Sequence, residues 1–324
     1  MSIVIERSLS LYRNIKGFSF MPTLEKDQGF QIINQVESIL IEEGYRNEDI
    51  SSKSSLKKLE LLEQGEITSD FLKSSITRLY KKENKPNILL NTGNHLTFHK
   101  KGRDLDFQSS YDEINEIEEK LDQKLNFIFD PTLGYLTTKP IHCGTGFFPS
   151  VKLHLPALNY FGIEGISRSL FRLGYSFTPY SVRGNKAIGS LYRLSFESTL
   201  GEREEKYINK IETITGEITA IEEESRKKLY LDNIITLEDM VNRSLGTLRN
   251  ARILPEDEMM EAMSYIDLGL ELSILKPKKK IDFYQEMMKL KNGHLQVERG
   301  SILDLKSRDI LRANRSRALM KEVF

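Results

Sequence analysis

The sequence predicts an α+β fold in which an antiparallel sheet is flanked by helices and followed by a helical C-terminal region. Over residues 1–200, helical apolar spacing alternates irregularly with short segments typical of strands, whereas the strand pattern fades over residues 201–324. Helices inserted irregularly between strands favour an antiparallel sheet over a doubly wound one. We therefore expect two parts, 1–200 and 201–324, of which the second is mainly helical.

Periodicity predicts the individual elements. In the first part, short apolar or alternating segments bounded by Gly, Pro or Asn predict strands at 88–90, 96–98, 151–155 and 191–195, and helical spacing covers 32–40 and 114–125. In the second part, helical spacing covers 207–221, 237–248 and 263–274. A last helix is expected to begin near Ser301, where Ser301 and Asp304 resemble a capping box.

Composition excludes several classes of protein. Lys and Arg number 47 and so do Asp and Glu, which gives no indication of nucleic-acid or membrane binding. No apolar run approaches the roughly 18 residues that span a bilayer, and charge interrupts the N-terminal segment, so we expect a cytoplasmic protein. The single cysteine, Cys143, excludes an intrachain disulfide and makes a thiolate zinc site implausible.

Residues 129–158 combine a glycine turn with a strand. Gly144-Thr145-Gly146 predicts a tight turn whose amides could face an anion, and the segment after it alternates as a strand does. Cations are scarce, because Lys139 and Lys152 are the only full positive charges between Asp130 and Leu158. The stretch therefore has the backbone of a phosphate-handling site without the charges that such a site uses.

Five collinear blocks resemble the phosphagen (guanidino) kinases, and most closely their bacterial protein-arginine kinase branch. The blocks are RNIKGFSFMP near the start, the central GYLTTKP, CGTG and VKLHLPAL, then IGSLYRLSFESTLGEREE, LGTLRNARILPEDE and DLGLELSILK. The resemblance covers nearly the whole chain. It implies the guanidino-kinase fold, an antiparallel sheet flanked by helices, and transfer of the γ-phosphoryl group of ATP to a guanidinium nitrogen.

The resemblance also implies which side chains such chemistry needs, and most of them are replaced. The two phosphate-binding arginines of the family's N-terminal motif correspond to Ser8 and Ser10, and the neighbouring Arg7 is expected on the opposite face of the strand. The family's carboxylate base corresponds to Gly93, and the arginine that follows it corresponds to Thr97.

The remaining matched positions point the same way. The place often held by a reactive cysteine is Lys139, and the arginine expected after the glycine turn is Phe148. The second glycine-rich loop is shortened and keeps Arg183 and Lys186 as weak candidates for nucleotide binding. We expect no bound cofactor and no metal site.

The C-terminus carries an intact motif. Arg308, Asp309 and Arg312 match the RDxxRA motif of the protein-arginine kinases, which the resemblance implies to be a regulatory phosphoarginine-binding site. On a helix the two arginines share a face, where a bridging anion would relieve their repulsion. The alternative is that Asp304 pairs with Arg308 and the helix is simply charged and solvated.

Two function classes follow. The first is a pseudokinase, a regulatory or phosphoarginine-binding module in bacterial protein quality control and stress response. The resemblance suggests as partners an active arginine kinase, its zinc-binding activator or a Clp-type unfoldase, and a dimer is possible. The second is an active ATP:guanidino phosphotransferase with a rebuilt site that uses Lys139, Arg183 and Lys186 as cations, and that would require ATP and Mg²⁺.

Overall fold

The computed structural model describes residues 2–21, 23–184 and 186–324. Within them the strands, in chain order, are β1 (Val4–Arg13), β2 (Arg46–Glu48), β3 (Arg78–Lys81), β4 (Asn87–Leu90), β5 (Leu96–Gly102), β6 (Phe129–Asp130), β7 (Gly134–Tyr135), β8 (Phe147–His154), β9 (Tyr175–Pro179), β10 (Val182–Arg183), β11 (Lys186–Ala187) and β12 (Leu191–Phe196).

The main sheet of the described residues has eight strands in the order β2-β3-β4-β5-β1-β8-β12-β9, and every neighbouring pair is antiparallel. The pairs β6-β7 and β10-β11 form two small separate ribbons. This confirms the predicted antiparallel sheet. The longest strand, β1, lies at its centre between β5 and β8.

Helices surround this sheet and make up the C-terminal region. They are α1 (Lys26–Glu42), α2 (Ser55–Glu63), α3 (Ser69–Leu72), α4 (Phe107–Leu125), α5 (Pro156–Phe161), α6 (Glu164–Arg172), α7 (Glu204–Asp232), α8 (Ile234–Asn250), α9 (Glu256–Glu271), α10 (Phe283–Lys289), α11 (Asn292–Arg299) and α12 (Leu305–Val323). Within the described residues, no helix is both long and apolar enough to cross a membrane.

One face of the sheet is buried against helices, whereas the opposite face is open over the middle of β1 and is covered by the second core at Leu191 and His154. Leu9 and Leu11 of β1 are fully buried in a core that also takes in the apolar stripes of α1, α4 and α7. Burial of each such side chain stabilises the fold by roughly 1.5–3 kcal/mol, and a slip of one residue would move both to the other face. The register is therefore fixed, and the alternate residues of β1 are presented on the open face.

A second core holds the C-terminal region together. It is built mainly from buried side chains of α8 to α12. Buried residues from the first part of the chain also belong to it, among them Ala157, Ile188 and Leu191. The helix α7 contributes Ile211 and Ile218 to the first core and Leu229 to the second. The division of the chain near residue 200 stays a prediction.

Two helix boundaries differ from the sequence expectation. The last helix begins at Leu305, and its cap is Asp304, whose carboxylate accepts a hydrogen bond from the amide of Ser307 at 2.8 Å. Ser301 therefore lies before the helix and takes no part in capping. The helix α9 ends at Glu271, so the apolar residue Ile274 of the predicted pattern follows the helix.

Candidate functional site

One cleft on the open face of the sheet is lined by five of the six predicted degenerate catalytic positions. Ser8, Ser10, Thr97, Lys139 and Phe148 all line this cleft, whose volume is about 660 Å³. Four of the five lie on strands that are neighbours in the sheet, and residues two apart on a strand share a face. Positions from three separate sequence motifs therefore meet at one site.

Strand register sets the floor of the cleft. Ser10 lies opposite His99 of β5 on one side and opposite Phe148 of β8 on the other. Ser8 lies opposite Ser150 in the same way. The floor consequently presents small hydroxyl groups and rings where the family resemblance places arginines.

A hydrogen bond joins two floor residues. The hydroxyl oxygen of Ser10 lies 2.9 Å from Nδ1 of His99. Burial of the ring lowers the pKa of His99 to about 4, and the charge of Lys101 acts in the same direction. The imidazole is therefore neutral at neutral pH, and it adds no positive charge to the cleft.

Aromatic side chains occupy the place of the arginine expected at Phe148. The ring of His142 lies 4.2 Å from that of Phe148 and 5.7 Å from that of Tyr12, measured between centroids. Burial lowers the pKa of His142, and the nearby Lys139 lowers it further. The sulfur of the adjacent Cys143 instead accepts from the backbone amide of Thr137 at 3.5 Å, so His142 and Cys143 face different neighbours.

Gly93 does not line the cleft, although its neighbour Thr92 does. It lies in the turn between β4 and β5, and its φ is +93°, a backbone conformation that residues other than glycine rarely adopt. No atom lies within 4 Å of the position that a Cβ would take there. The turn therefore has space for a carboxylate-bearing residue, but its backbone favours glycine.

The glycine turn packs against neighbouring backbone, which corrects the expectation of anion-facing amides for Gly144 and Thr145. The amide of Gly144 donates to the carbonyl of Tyr135 at 3.3 Å, and that of Thr145 donates to the carbonyl of Thr199 at 3.2 Å. A Cβ on Gly144 would collide with the backbone of Thr199. These two amides are already used inside the chain, and the glycine permits the close approach of backbones.

Arg183 and Arg7 do not line the cleft. Arg183 is exposed on the β10-β11 ribbon, where its guanidinium lies 2.9 Å from the carboxylate of Asp257. The side chain of Lys186 lies outside the described part of the structure. Arg7 lies on the opposite face of β1, as expected from its position in the strand, and its guanidinium lies 3.6 Å from Glu212 of α7.

Three charged cleft residues escaped the sequence prediction. Arg193 of β12 and the carboxylates of Glu66 and Glu197 line the cleft. Burial alone would raise the pKa of Glu66, but Lys101 and Lys81 outweigh it and lower that pKa to about 2. Arg193 lies in the block IGSLYRLSFESTLGEREE and next to the buried Leu194, but the resemblance assigned no catalytic or binding role to this position.

The C-terminal motif contains one arginine that is hydrogen-bonded within the described chain and one that is not. Arg312 is fully buried, and its guanidinium donates to Asp309 and Asn292 at 2.6 Å each and to the carbonyls of Leu254 and Leu290 at 2.8 and 2.9 Å. Arg308, by contrast, has a guanidinium without an ion pair or hydrogen bond among the described residues. The carboxylate of Asp304 caps the helix instead of pairing with Arg308.

Comparison with known proteins identifies the class. Residues 27–225 match the C-terminal catalytic domain of the ATP:guanido phosphotransferases, and residues 234–323 match the C-terminal domain of the protein-arginine kinase McsB. The chain belongs to the guanidino kinase superfamily and, within it, to the bacterial protein-arginine kinase branch.

Named relatives agree with this placement. The protein-arginine kinase of Clostridium acetobutylicum is 30% identical over 319 residues, which cover 96% of this chain and 94% of the relative. That of Staphylococcus saprophyticus is 31% identical over 276 residues, which cover 84% of this chain and 82% of the relative. These alignments span both parts of the fold.

Solved structures support the fold. The duplicated taurocyamine kinase of Schistosoma mansoni, solved with transition-state analogue components, superposes with a TM-score of 0.61 at 14% identity. The match covers 85% of this chain but only 47% of that one. Lombricine kinase gives a TM-score of 0.58 at 14% identity and covers 68% of this chain and 66% of its own. The chain therefore spans about half to two thirds of these kinases.

Proposed function

We propose that this protein is a pseudokinase: a protein-arginine kinase fold whose cleft binds a ligand or partner without transferring phosphate from ATP. The observation that carries the proposal is the convergence of Ser8, Ser10, Thr97 and Phe148 on one cleft. Phosphoryl transfer depends on positioning and on neutralising the charge of the phosphates. Hydroxyls and a phenyl ring replace the groups that the family resemblance places there for that purpose.

The expected loss of catalytic rate supports the pseudokinase over an active kinase. Loss of one hydrogen-bond donor to a transition state commonly costs about 10²–10³ in rate, and loss of a general base costs about 10²–10⁴. Such effects are not additive, but here several are combined. The remaining cations of the cleft, Lys139 and Arg193, are a poor fit to the charge of Mg-ATP, so we derive no step through it.

Calorimetry and a transfer assay test the proposal together. We expect no saturable heat with Mg-ATP at millimolar concentration, and no label on an arginine-rich protein incubated with radiolabelled ATP. The protein-arginine kinase of Clostridium acetobutylicum, assayed in parallel, shows that the substrate and conditions are competent. A micromolar Kd for Mg-ATP, or phosphoarginine above the buffer control, would reject the pseudokinase proposal.

The second candidate is an active protein-arginine kinase with a rebuilt site. It is favoured by the names of the relatives and by the presence of Lys139, Arg193, Glu66 and Glu197 in the same cleft. In that case transfer would be observed, and Lys139→Gln or Arg193→Gln would reduce it. An Arg183→Gln variant would leave transfer unchanged, because Arg183 does not line the cleft.

The finer proposal is that the C-terminal motif recognises phosphoarginine on a protein partner, such as an active arginine kinase, its activator or a Clp-type unfoldase. Support comes from Arg308, whose guanidinium has no partner in the described chain, whereas Arg312 and Asp309 are bound to each other. We expect a phosphoarginine peptide to lose affinity for Arg308→Ala. Equal binding to the wild type and this variant would remove that support.

A further inference from the structure

Three cations surround one aromatic ring at the edge of the cleft. Nζ of Lys152, Cζ of Arg193 and Nζ of Lys291 lie 4.3, 5.7 and 6.0 Å from the centroid of the Tyr180 ring. A tyrosine ring attracts cations through its negative face. One ring cannot neutralise three positive charges. Which of the cations stays unneutralised therefore depends on the carboxylates nearby.

Two of the three cations have a carboxylate partner and one does not. Lys152 lies 2.9 Å from Glu6, and Lys291 lies 3.5 Å from Glu256. Arg193 has no ion pair and no side-chain hydrogen bond among the described residues. It also lies directly opposite Lys152 in the β8-β12 register, an arrangement of like charges that destabilises a sheet.

The side chain of Arg193 is exposed and lines the cleft. Arg193 and Tyr180 both line the cleft that contains Ser8 and Ser10. Burial, the largest influence, raises the pKa of Tyr12, while Ser10 and the charge of Arg193 act to lower it. The positive charge of Arg193 therefore acts on Tyr12 of β1, at the floor of the cleft.

The floor beside it offers hydrogen-bond donors. Hydroxyl groups of several strands line the same cleft: Ser8, Ser10, Ser150, Ser176 and Ser195. A guanidinium can grip two oxygens of a phosphate at once, and hydroxyls can donate to the remaining oxygens. One unpaired arginine among hydroxyls suits an anion of one phosphate group better than the larger charge of a triphosphate.

We propose that Arg193 anchors a binding site for a single phosphate group at the Tyr180 end of the cleft. The proposal deepens the proposed function and rests on it, since the cleft then binds and does not phosphorylate. The phosphate group is the shared chemistry of inorganic phosphate, phosphoarginine and a nucleoside monophosphate. The site is distinct from the C-terminal motif, because Arg193 is on the sheet and Arg308 is on α12.

Calorimetric titration of the full chain with inorganic phosphate, free phosphoarginine and AMP tests this site. We expect saturable binding of at least one of these probes, weakened about tenfold to a hundredfold by Arg193→Gln, since a hydrogen bond to a charged group contributes about 1.5–3 kcal/mol. Arg193→Lys keeps the charge but not the bidentate geometry, so it should lose less affinity.

Matched variants make the test specific. Arg243→Gln removes an exposed arginine on α8 and should bind as the wild type does. In an Arg308→Ala background, Arg193→Gln should still weaken phosphate binding, and this result separates the site from the C-terminal motif. The proposal is overturned if no probe binds with a Kd below about 10 mM, or if Arg193→Gln binds all three unchanged while its melting temperature matches the wild type.

The transfer assay and the titrations together distinguish failure of this proposal from failure of the proposed function. Transfer of phosphate from ATP would overturn the pseudokinase proposal, whatever Arg193 does. Absence of transfer together with absence of probe binding would overturn the Arg193 site alone. Equal affinity for the three probes would show that the phosphate group itself is recognised. A preference for phosphoarginine or AMP that Arg193→Gln loses in the Arg308→Ala background would support the site and identify the source of the phosphate.

Discussion

Two arginine-containing regions of this chain differ in what surrounds each guanidinium. In the C-terminal motif, Arg312 is completely buried and its donors are used by Asp309, Asn292 and two carbonyls. In the cleft, Arg193 has neither a carboxylate nor a carbonyl partner in the described chain. An arginine of the C-terminal motif can thus be structural, while one to which the resemblance assigned no binding role is available to a ligand.

The largest expected effect comes from removing Arg312. We predict that Arg312→Met destabilises the fold by about 3–5 kcal/mol, because Asp309 is left as a buried charge without its partner and two carbonyls lose a donor. Chemical denaturation followed by circular dichroism measures this change. The same substitution at Arg308, one helical turn earlier, should change the unfolding free energy by less than about 0.5 kcal/mol.

A small effect of Arg312→Met would contradict the structural role given to Arg312 and would strengthen its assignment as a ligand-binding residue. A large effect of Arg308→Met would mean that the side chain of Arg308 has a partner after all. The difference between the two variants therefore measures how far the motif is built into the fold.

The second prediction concerns the cleft and its pH dependence. Burial lowers the pKa of His99 to about 4 from an ordinary value of 6.5, and Lys101 and Arg193 act in the same direction, whereas Glu66 and Glu6 oppose it. Below pH 6.5 His99 is protonated in the unfolded chain but stays neutral in the folded protein. The free energy of unfolding therefore falls as the pH is lowered from 6.5 to 4. We expect His99→Gln to show a smaller fall in unfolding free energy over this interval.

Ser10→Ala is the matched control, because it removes the hydrogen-bond partner and keeps the imidazole. Since burial is the largest cause of the lowered pKa, this variant should keep most of the pH dependence. If His99→Gln keeps the slope of the wild type, another group is responsible for it and His99 is not the neutral floor residue described above.

A smaller effect is expected at the start of α12, which carries the C-terminal motif. Asp304→Ala removes the side chain that accepts from the Ser307 amide and should cost about 1 kcal/mol of stability. Ser301→Ala should have almost no effect, because Ser301 precedes the helix. Thermal melting of the two variants decides between them, and the reverse order would restore Ser301 as the start of the helix.

Periodicity and the family resemblance were enough to predict the fold class but not the partners of each cation. The alternation of buried Leu9 and Leu11 with Ser8 and Ser10 fixed which face of β1 is open, because strand periodicity is a local property. The burial of Arg312 depends on carbonyls and Asn292, which lie 20 to 58 residues away along the chain. No local pattern encodes such contacts, and the same holds for the three cations at Tyr180.

The smallest expected effect is at Arg183, a cation that the family's glycine-rich loop suggested and that lies outside the cleft. Its guanidinium pairs with Asp257 at 2.9 Å while its side chain is 71% exposed. Exposed ion pairs contribute about 0–1 kcal/mol, so Arg183→Gln should lower the melting temperature only slightly. It should also leave phosphate binding unchanged, in contrast to Arg193→Gln. A loss of phosphate affinity in Arg183→Gln would show that the β10-β11 ribbon closes over the cleft, and would return Arg183 to the set of ligand-binding residues.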